Sequence, residues 1–296
     1  MSIPDDATLA NFQSTVYAYY RAFPRSMPWR ETDDPYRILL SEIMLQQTQV
    51  SRVMAKYHEF VEAFPDVHSL AVAPVSRVLE VWLGLGYNRR ALALHRLARE
   101  LVARGGEVPD DPATLETLPG IGHATACAIA AYAFNRPVVF IETNIRSVFI
   151  HHFFHGRPEI ADREILPLVE AALDRTNPRE WYWALMDYGT HLKTEVPNPA
   201  RRSSRHRRQS PFEGSHRQLR GRILRHLAHY GSQTVATLAY AVGESTQSTA
   251  RTVRELEGEG FLAVRDDAVE LHSGRAPQPP SLSRISVGDG TPGSNA

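Results

Sequence analysis

Residues 118–122 read Leu-Pro-Gly-Ile-Gly, and from His123 to Ala130 the side chains are small and helically spaced. That is a tight turn opening into a helix. Gly120 and Gly122 tolerate positive φ and carry no side chain to hold a ligand off, while the first amides of the next helix point outward unpaired. A phosphate belongs at such an end. Upstream, residues 112–118 read as a short helix, so the unit is helix, hairpin, helix, a grip on a DNA backbone that ignores base sequence. A glycine turn before a helix is also an ordinary loop, and the surrounding motifs decide between the two.

Three blocks precede the hairpin: Met27-Pro28-Trp29-Arg30; Asp34-Pro35-Tyr36-Arg37 running on through Ser41-Glu42-Ile43-Met44-Leu45-Gln46-Gln47-Thr48; and Gly84-Leu85-Gly86-Tyr87-Asn88-Arg89-Arg90. With this order and spacing, residues 10–195 resemble the MutY-type adenine DNA glycosylases, within the helix-hairpin-helix superfamily that includes endonuclease III. The resemblance implies a mainly α, two-lobed catalytic fold and hydrolysis of an N-glycosidic bond in DNA.

Breaking that bond needs an acid to protonate the departing base and a carboxylate to offset an oxocarbenium ion, as in glycoside hydrolysis. Glu42 matches the family's general acid, and among Leu40, Ile43 and Met44 its pKa would rise as that role requires. The family's second carboxylate is an aspartate two residues before an asparagine. Here Ile141-Glu142-Thr143-Asn144 retains Asn144 but has Glu142, whose extra methylene adds about 1.5 Å of reach. Glu142 could otherwise be a carboxylate favoured at a helix start. Ala124 stands where endonuclease III members keep a lysine. The chain has only two lysines, Lys56 and Lys193, neither at the hairpin. A lysine nucleophile must sit beside the sugar, so the expectation is a monofunctional enzyme that uses water and leaves an abasic site.

Other motif residues are expected to bind. Gln46 and Gln47 match the pair that fills the space left by a flipped nucleotide. Trp29, Arg30 and Tyr87 are expected around the base, Arg89 on DNA, and Gly120, Gly122 and Thr125 on a phosphate of the target strand. Trp29 and Tyr87 could equally be core aromatics. The partner is double-stranded DNA with a damaged or mispaired base. Relatives usually hold a [4Fe-4S] cluster on four cysteines after the last catalytic helix, and this chain has one cysteine, Cys127, at a core-like spacing. No cofactor or metal is expected. From Arg201 to Arg225 there are nine arginines against one acid, Glu213, although the whole chain has formal net charge +0. Arg201, Arg202 and Arg205 are expected to take phosphates where relatives have the cluster loop.

The elements that must position these residues are helices, expected over residues 9–22, 38–47, 49–63, 75–82, 89–103, 124–132, 143–154, 165–173 and 179–192. No stretch alternates like a strand before residue 260. Residues 1–195 form the catalytic domain and 196–214 a basic linker. Residues 215–272, with helices over 215–229, 235–242 and 245–259 and a hairpin over 261–271, read as a winged helix. Its third helix, with Ser245, Thr246, Gln247, Ser248, Arg251 and Arg254, would enter a major groove; alternatively the domain only packs on the catalytic one or binds protein. Residues 273–296 are expected to be disordered. With no membrane-length apolar run and no signal peptide, the expectation is a cytoplasmic, nucleoid-associated monomer. Two alternatives stay open beside the adenine glycosylase: a related glycosylase for another damaged, alkylated or mismatched base, and a non-catalytic DNA-binding protein on the same scaffold.

Overall fold

A computed structural model describes residues 3–206 and 211–274. In chain order its first part runs α1 (Asp6–Ala22), α2 (Pro35–Leu45), α3 (Val50–Ala63), α4 (Val67–Val72), α5 (Val75–Trp82), α6 (Arg89–Ala103), α7 (Pro112–Glu116), α8 (His123–Phe134), α9 (Thr143–Phe153), α10 (Asp162–Ala171) and α11 (Pro178–Glu195). The helices begin where capping chemistry allows. Asp34 accepts from the Tyr36 amide at 2.9 Å, with Pro35 in the first turn of α2, where a missing N–H costs nothing. Asp111 with Pro112, and Asn177 with Pro178, repeat the device on α7 and α11.

Two lobes result. In one, α1 packs on α11, which packs on α9, with α10 beside α9; the other holds α2 to α7. Phe12 of α1 meets Phe149, Phe153 and Trp181 edge-on, closing the first lobe across most of the catalytic sequence. α8 is apolar on every side and buried from Ala126 to Ala133, as a helix enclosed by others must be, and it touches α2 and α7 on one side and α11 on the other. The site lies at this junction.

Three local expectations are corrected. α2 stops at Leu45 rather than Gln47, because Gln47 is left-handed at φ 53°, which releases Gln46 and Gln47 from the helix. α4 was not anticipated; a reciprocal capping box between Asp66 and Ser69 starts it. A short strand precedes residue 260: β1 (Gln233–Thr234).

The C-terminal part has α12 (His216–Tyr230), then β1, α13 (Val235–Val242), α14 (Thr246–Gly258), β2 (Leu262–Arg265) and β3 (Ala268–Leu271), with antiparallel sheet order β1-β3-β2. Asp266 and Asp267, both at positive φ, make the two-residue hairpin turn. This unit is fastened to the catalytic part. The Ser76 amide donates to the His272 carbonyl at 3.0 Å, and Glu259 accepts from Arg89 at 2.7 and 2.8 Å and from Arg220 at 2.7 and 2.9 Å. Among the described residues no helix is long and apolar enough to cross a membrane. The expected disordered tail, beyond Gly274, lies outside the described residues.

Candidate active site

A cavity of about 540 Å³ opens between α2, the residues before it, and the starts of α8 and α9, with one face of α11 as its wall. Glu42 reaches it from α2 and Glu142 from the N-cap of α9, so the two carboxylates expected to do the chemistry share one pocket. Trp29, Arg30, Gln46, Thr125 and Asn144 line it as well.

The two carboxylates have different neighbours. Burial pushes Glu42 well above the usual carboxylate range, and the charge of Glu142 pushes it further, against a smaller pull from Arg30. Burial raises Glu142 too, but Arg146 and Lys193 draw it back. Two like charges buried in one pocket cannot both be comfortable. The cations beside Glu142 favour its charged form, whereas Glu42 has only the smaller pull of Arg30, so the two environments push the pair apart in the direction that an acid and an electrostatic stabiliser require.

Each cation is held in turn. Arg30 makes a two-pronged pair with buried Asp187 at 2.7 and 3.0 Å, joined by Arg25 at 3.1 Å, and lies over the Trp183 ring. Arg146 pairs with Asp162 at 2.8 and 2.9 Å. Lys193 donates to Asn144 Oδ1 at 2.5 Å, while the Asn144 amide faces Met186 Sδ at 3.8 Å. Gly189 makes this approach possible. A Cβ there would stand 2.5 Å from the Asn144 carbonyl oxygen, so only glycine lets α11 run this close to the start of α9.

Asp187, Lys193 and Arg146 were missed as site residues. The signal was present for α11, where Trp183, Met186, Asp187 and Thr190 fall on one helical face and line the cavity. Arg90 was also missed. It donates to the Ile43 and Met44 carbonyls, to Thr48 Oγ1 and to the Gly86 carbonyl, at 2.7 to 3.1 Å, stapling the end of α2 to the glycine loop behind Gln47.

Other expected residues are distributed differently. Gln46 Nε2 donates to Thr125 Oγ1 at 3.1 Å and the Gly120 carbonyl at 3.3 Å, so the amide is parked on the hairpin. Gly120 has φ 82°, and a Cβ there would meet Ala93 Cβ at 2.8 Å; Gly122 is the N-cap of α8. Tyr87 is not in the base pocket. At φ 47° it lines a neighbouring groove with Gln47. Arg89 pairs with Glu259 and is exposed at the same groove. Arg201 is exposed, but Arg202 donates to the Phe154 and Ile150 carbonyls at the end of α9, and Arg205 pairs with Asp162 at 3.1 Å. Arg202 and Arg205 therefore tie the basic segment back to the catalytic part.

A [4Fe-4S] cluster needs several thiolates. Cys127 is the only cysteine, is 3% exposed inside α8, and has its thiol pushed up to about 11 by burial. The residues present do not fit that group.

Residues 40–170 match the model of the HhH-GPD superfamily of base excision DNA repair proteins. Adenine DNA glycosylase from Mycobacterium tuberculosis is 34% identical over 233 residues, 71% of this chain and 76% of the relative. A thermostable thymine-DNA glycosylase superposes with TM-score 0.56 at 26% identity, covering 62% of this chain and 87% of that one. Endonuclease III bound non-covalently to DNA has the same fold, with TM-score 0.54 at 18% identity over 64% and 89% of the two chains. With the paired carboxylates, the hairpin and these likenesses together, the chain belongs to the MutY-like branch of the HhH-GPD base excision repair superfamily and is a DNA glycosylase.

Proposed function

We propose that the protein is a monofunctional glycosylase that removes adenine mispaired with 8-oxoguanine or guanine. The observation that carries this reading is that Glu42 and Glu142 share one cavity, with Arg146 and Lys193 favouring the charged form of Glu142 while burial raises Glu42. With a nucleotide flipped into the cavity, Glu42 gives its proton to a ring nitrogen of the base, and the N-glycosidic bond breaks with its electron pair leaving on the now neutral base. Glu142 offsets the positive charge left on the sugar. Glu42, now a carboxylate, takes a proton from water as its oxygen bonds C1′, which restores the acid and leaves an abasic sugar. Ala124 lines the cavity where a Schiff-base lysine would stand, and Lys193 is engaged with Asn144, so water is the nucleophile. The protein works without an iron-sulfur cluster, and its C-terminal unit is a winged helix.

A second reading, a glycosylase for another base, is favoured by one feature: the glutamate at position 142 carries its charge further than the family's aspartate. The deciding experiment is incubation of the full chain with a panel of duplexes, each holding one altered or mispaired base, followed by hot alkali. The expected result is excision from A:8-oxoguanine or A:G with strand breaks only after alkali. Excision confined to another base establishes the second reading. Covalent trapping on DNA by borohydride overturns the monofunctional mechanism.

A further inference from the structure

Beside the carboxylate pocket lies a larger groove of about 1150 Å³, walled on one side by the catalytic part and on the other by α12, with Phe212 and with Glu255 of α14, which pairs with His216 at 3.1 Å. Gln46 and Gln47 line both cavities and so form the partition between them. From the catalytic side come Arg52, Tyr87 and Arg90; from α12 come Arg217, Gly221 and Arg225, at helical spacing along one face. α12 contains four arginines and no acid, whereas α14 sets Arg251 and Arg254 against Glu255 and Glu257. Of the other α12 arginines, Arg222 donates into its own domain, to the Val242 carbonyl at 3.3 Å, and Arg220 is held by Glu259. Arg217, which also donates to the Pro211 carbonyl at 3.5 Å, and Arg225 are exposed at the groove. The clamp of Arg89 and Arg220 on Glu259, with the backbone bond from Ser76 to His272, sets α12 facing the catalytic part.

We propose that α12, and not α14, is the DNA-facing helix of the C-terminal domain, and that Arg217 and Arg225 hold phosphates of the strand opposite the flipped nucleotide. This rests on the reading of the protein as an enzyme of duplex DNA. The strand that delivers its nucleotide to Glu42 runs on the pocket side of the Gln46–Gln47 partition, where the hairpin lies. The complementary strand must then lie across the partition, in the groove that α12 closes. A winged helix ordinarily commits its third helix to DNA; here the charge balance and the docking turn the first one inward.

The test uses the full chain and measures binding to a duplex carrying an uncleavable abasic analogue opposite guanine, as a function of salt. Each phosphate contact contributes about 0.9 to the log–log slope. The double variant Arg217→Ala/Arg225→Ala is expected to lower the slope by about 1.8, and to become indifferent to methylphosphonate linkages in the guanine strand while staying sensitive to those in the abasic strand. Arg251→Ala/Arg254→Ala is expected to keep the wild-type slope. Both pairs are exposed, so the thermal transition serves as the check that each variant is folded. A wild-type slope in the α12 variant, or a loss appearing in the α14 variant instead, overturns the proposal. Failure of the wild type to excise any base from the duplex panel would overturn the glycosylase specificity and is read separately from the salt slope.

Discussion

Lys193 Nζ donates to Asn144 Oδ1 at 2.5 Å, joining the last turns of α11 to the first turn of α9, two residues beyond its N-cap Glu142. The ammonium is one of two cations that favour the charged form of Glu142. Lys193 does not line the cavity, so it is a positioning residue.

Lys193→Met should therefore change the pH profile as well as the rate. In the proposed mechanism Glu142 acts as an anion, so activity rises as pH passes upward through its pKa. Removing a nearby cation raises that pKa, and the acid limb of the profile is expected to move to higher pH. Lys193→Arg should restore the limb. Single-turnover excision across pH measures it, and a uniform loss at every pH would reduce Lys193 to a packing role.

Glu42 must carry its proton, and its raised pKa keeps it protonated into the neutral range. Activity is expected to fall as pH rises through that pKa. Glu42→Gln should lower excision by about 10²–10⁴-fold with duplex affinity nearly unchanged. Glu142→Gln removes the like charge, so the residual alkaline limb should move to lower pH. An alkaline limb that stays in place would uncouple the two carboxylates.

Gly189→Ala puts a methyl group where the Asn144 backbone already stands, 2.5 Å away. α9 and α11 must separate, at a cost of about 1–3 kcal/mol for overpacking, and Glu142 and Asn144 move with α9. A lower thermal midpoint together with slower excision is expected. Wild-type values of both would show that the helices yield freely.

Glu259 is held down to about 2, because the hydrogen bonds from Arg89 and Arg220 outweigh its burial. A carboxylate with a depressed pKa contributes its stability in full above its unfolded value of 4.5 and loses it as pH falls toward 2. Screening at this half-exposed cluster limits the contribution to about 1 kcal/mol. The difference in thermal midpoint between wild type and Glu259→Gln should be constant above about pH 5 and shrink through the acid range. A difference independent of pH would mean that the clamp is not ionic.

Features that depend on local order are legible in consecutive residues. The Gly120–Gly122 hairpin, the Asp34-Pro35 and Asp111-Pro112 helix starts, and the two motifs bearing Glu42 and Glu142 are all written in consecutive residues, because caps, turns and helical faces answer to spacings of a few positions. Which charges meet was decided only by the tertiary structure. Lys193 lies 49 positions from Asn144, so no local spacing pairs them. Arg89, in a motif expected on DNA, is taken by Glu259 at a separation of 170, and Arg202 and Arg205, in a basic run, are taken by helix-end carbonyls and Asp162. The reason is physical: an arginine or lysine side chain binds whatever acceptor packing brings within about 3 Å, and packing is set by where glycines such as Gly189 let helices approach. Tyr87 lies in the neighbouring groove and not in the carboxylate cavity for a related reason, since its left-handed backbone at φ 47° is set in a loop whose Gly86 carbonyl Arg90 holds together with the Ile43 and Met44 carbonyls of α2.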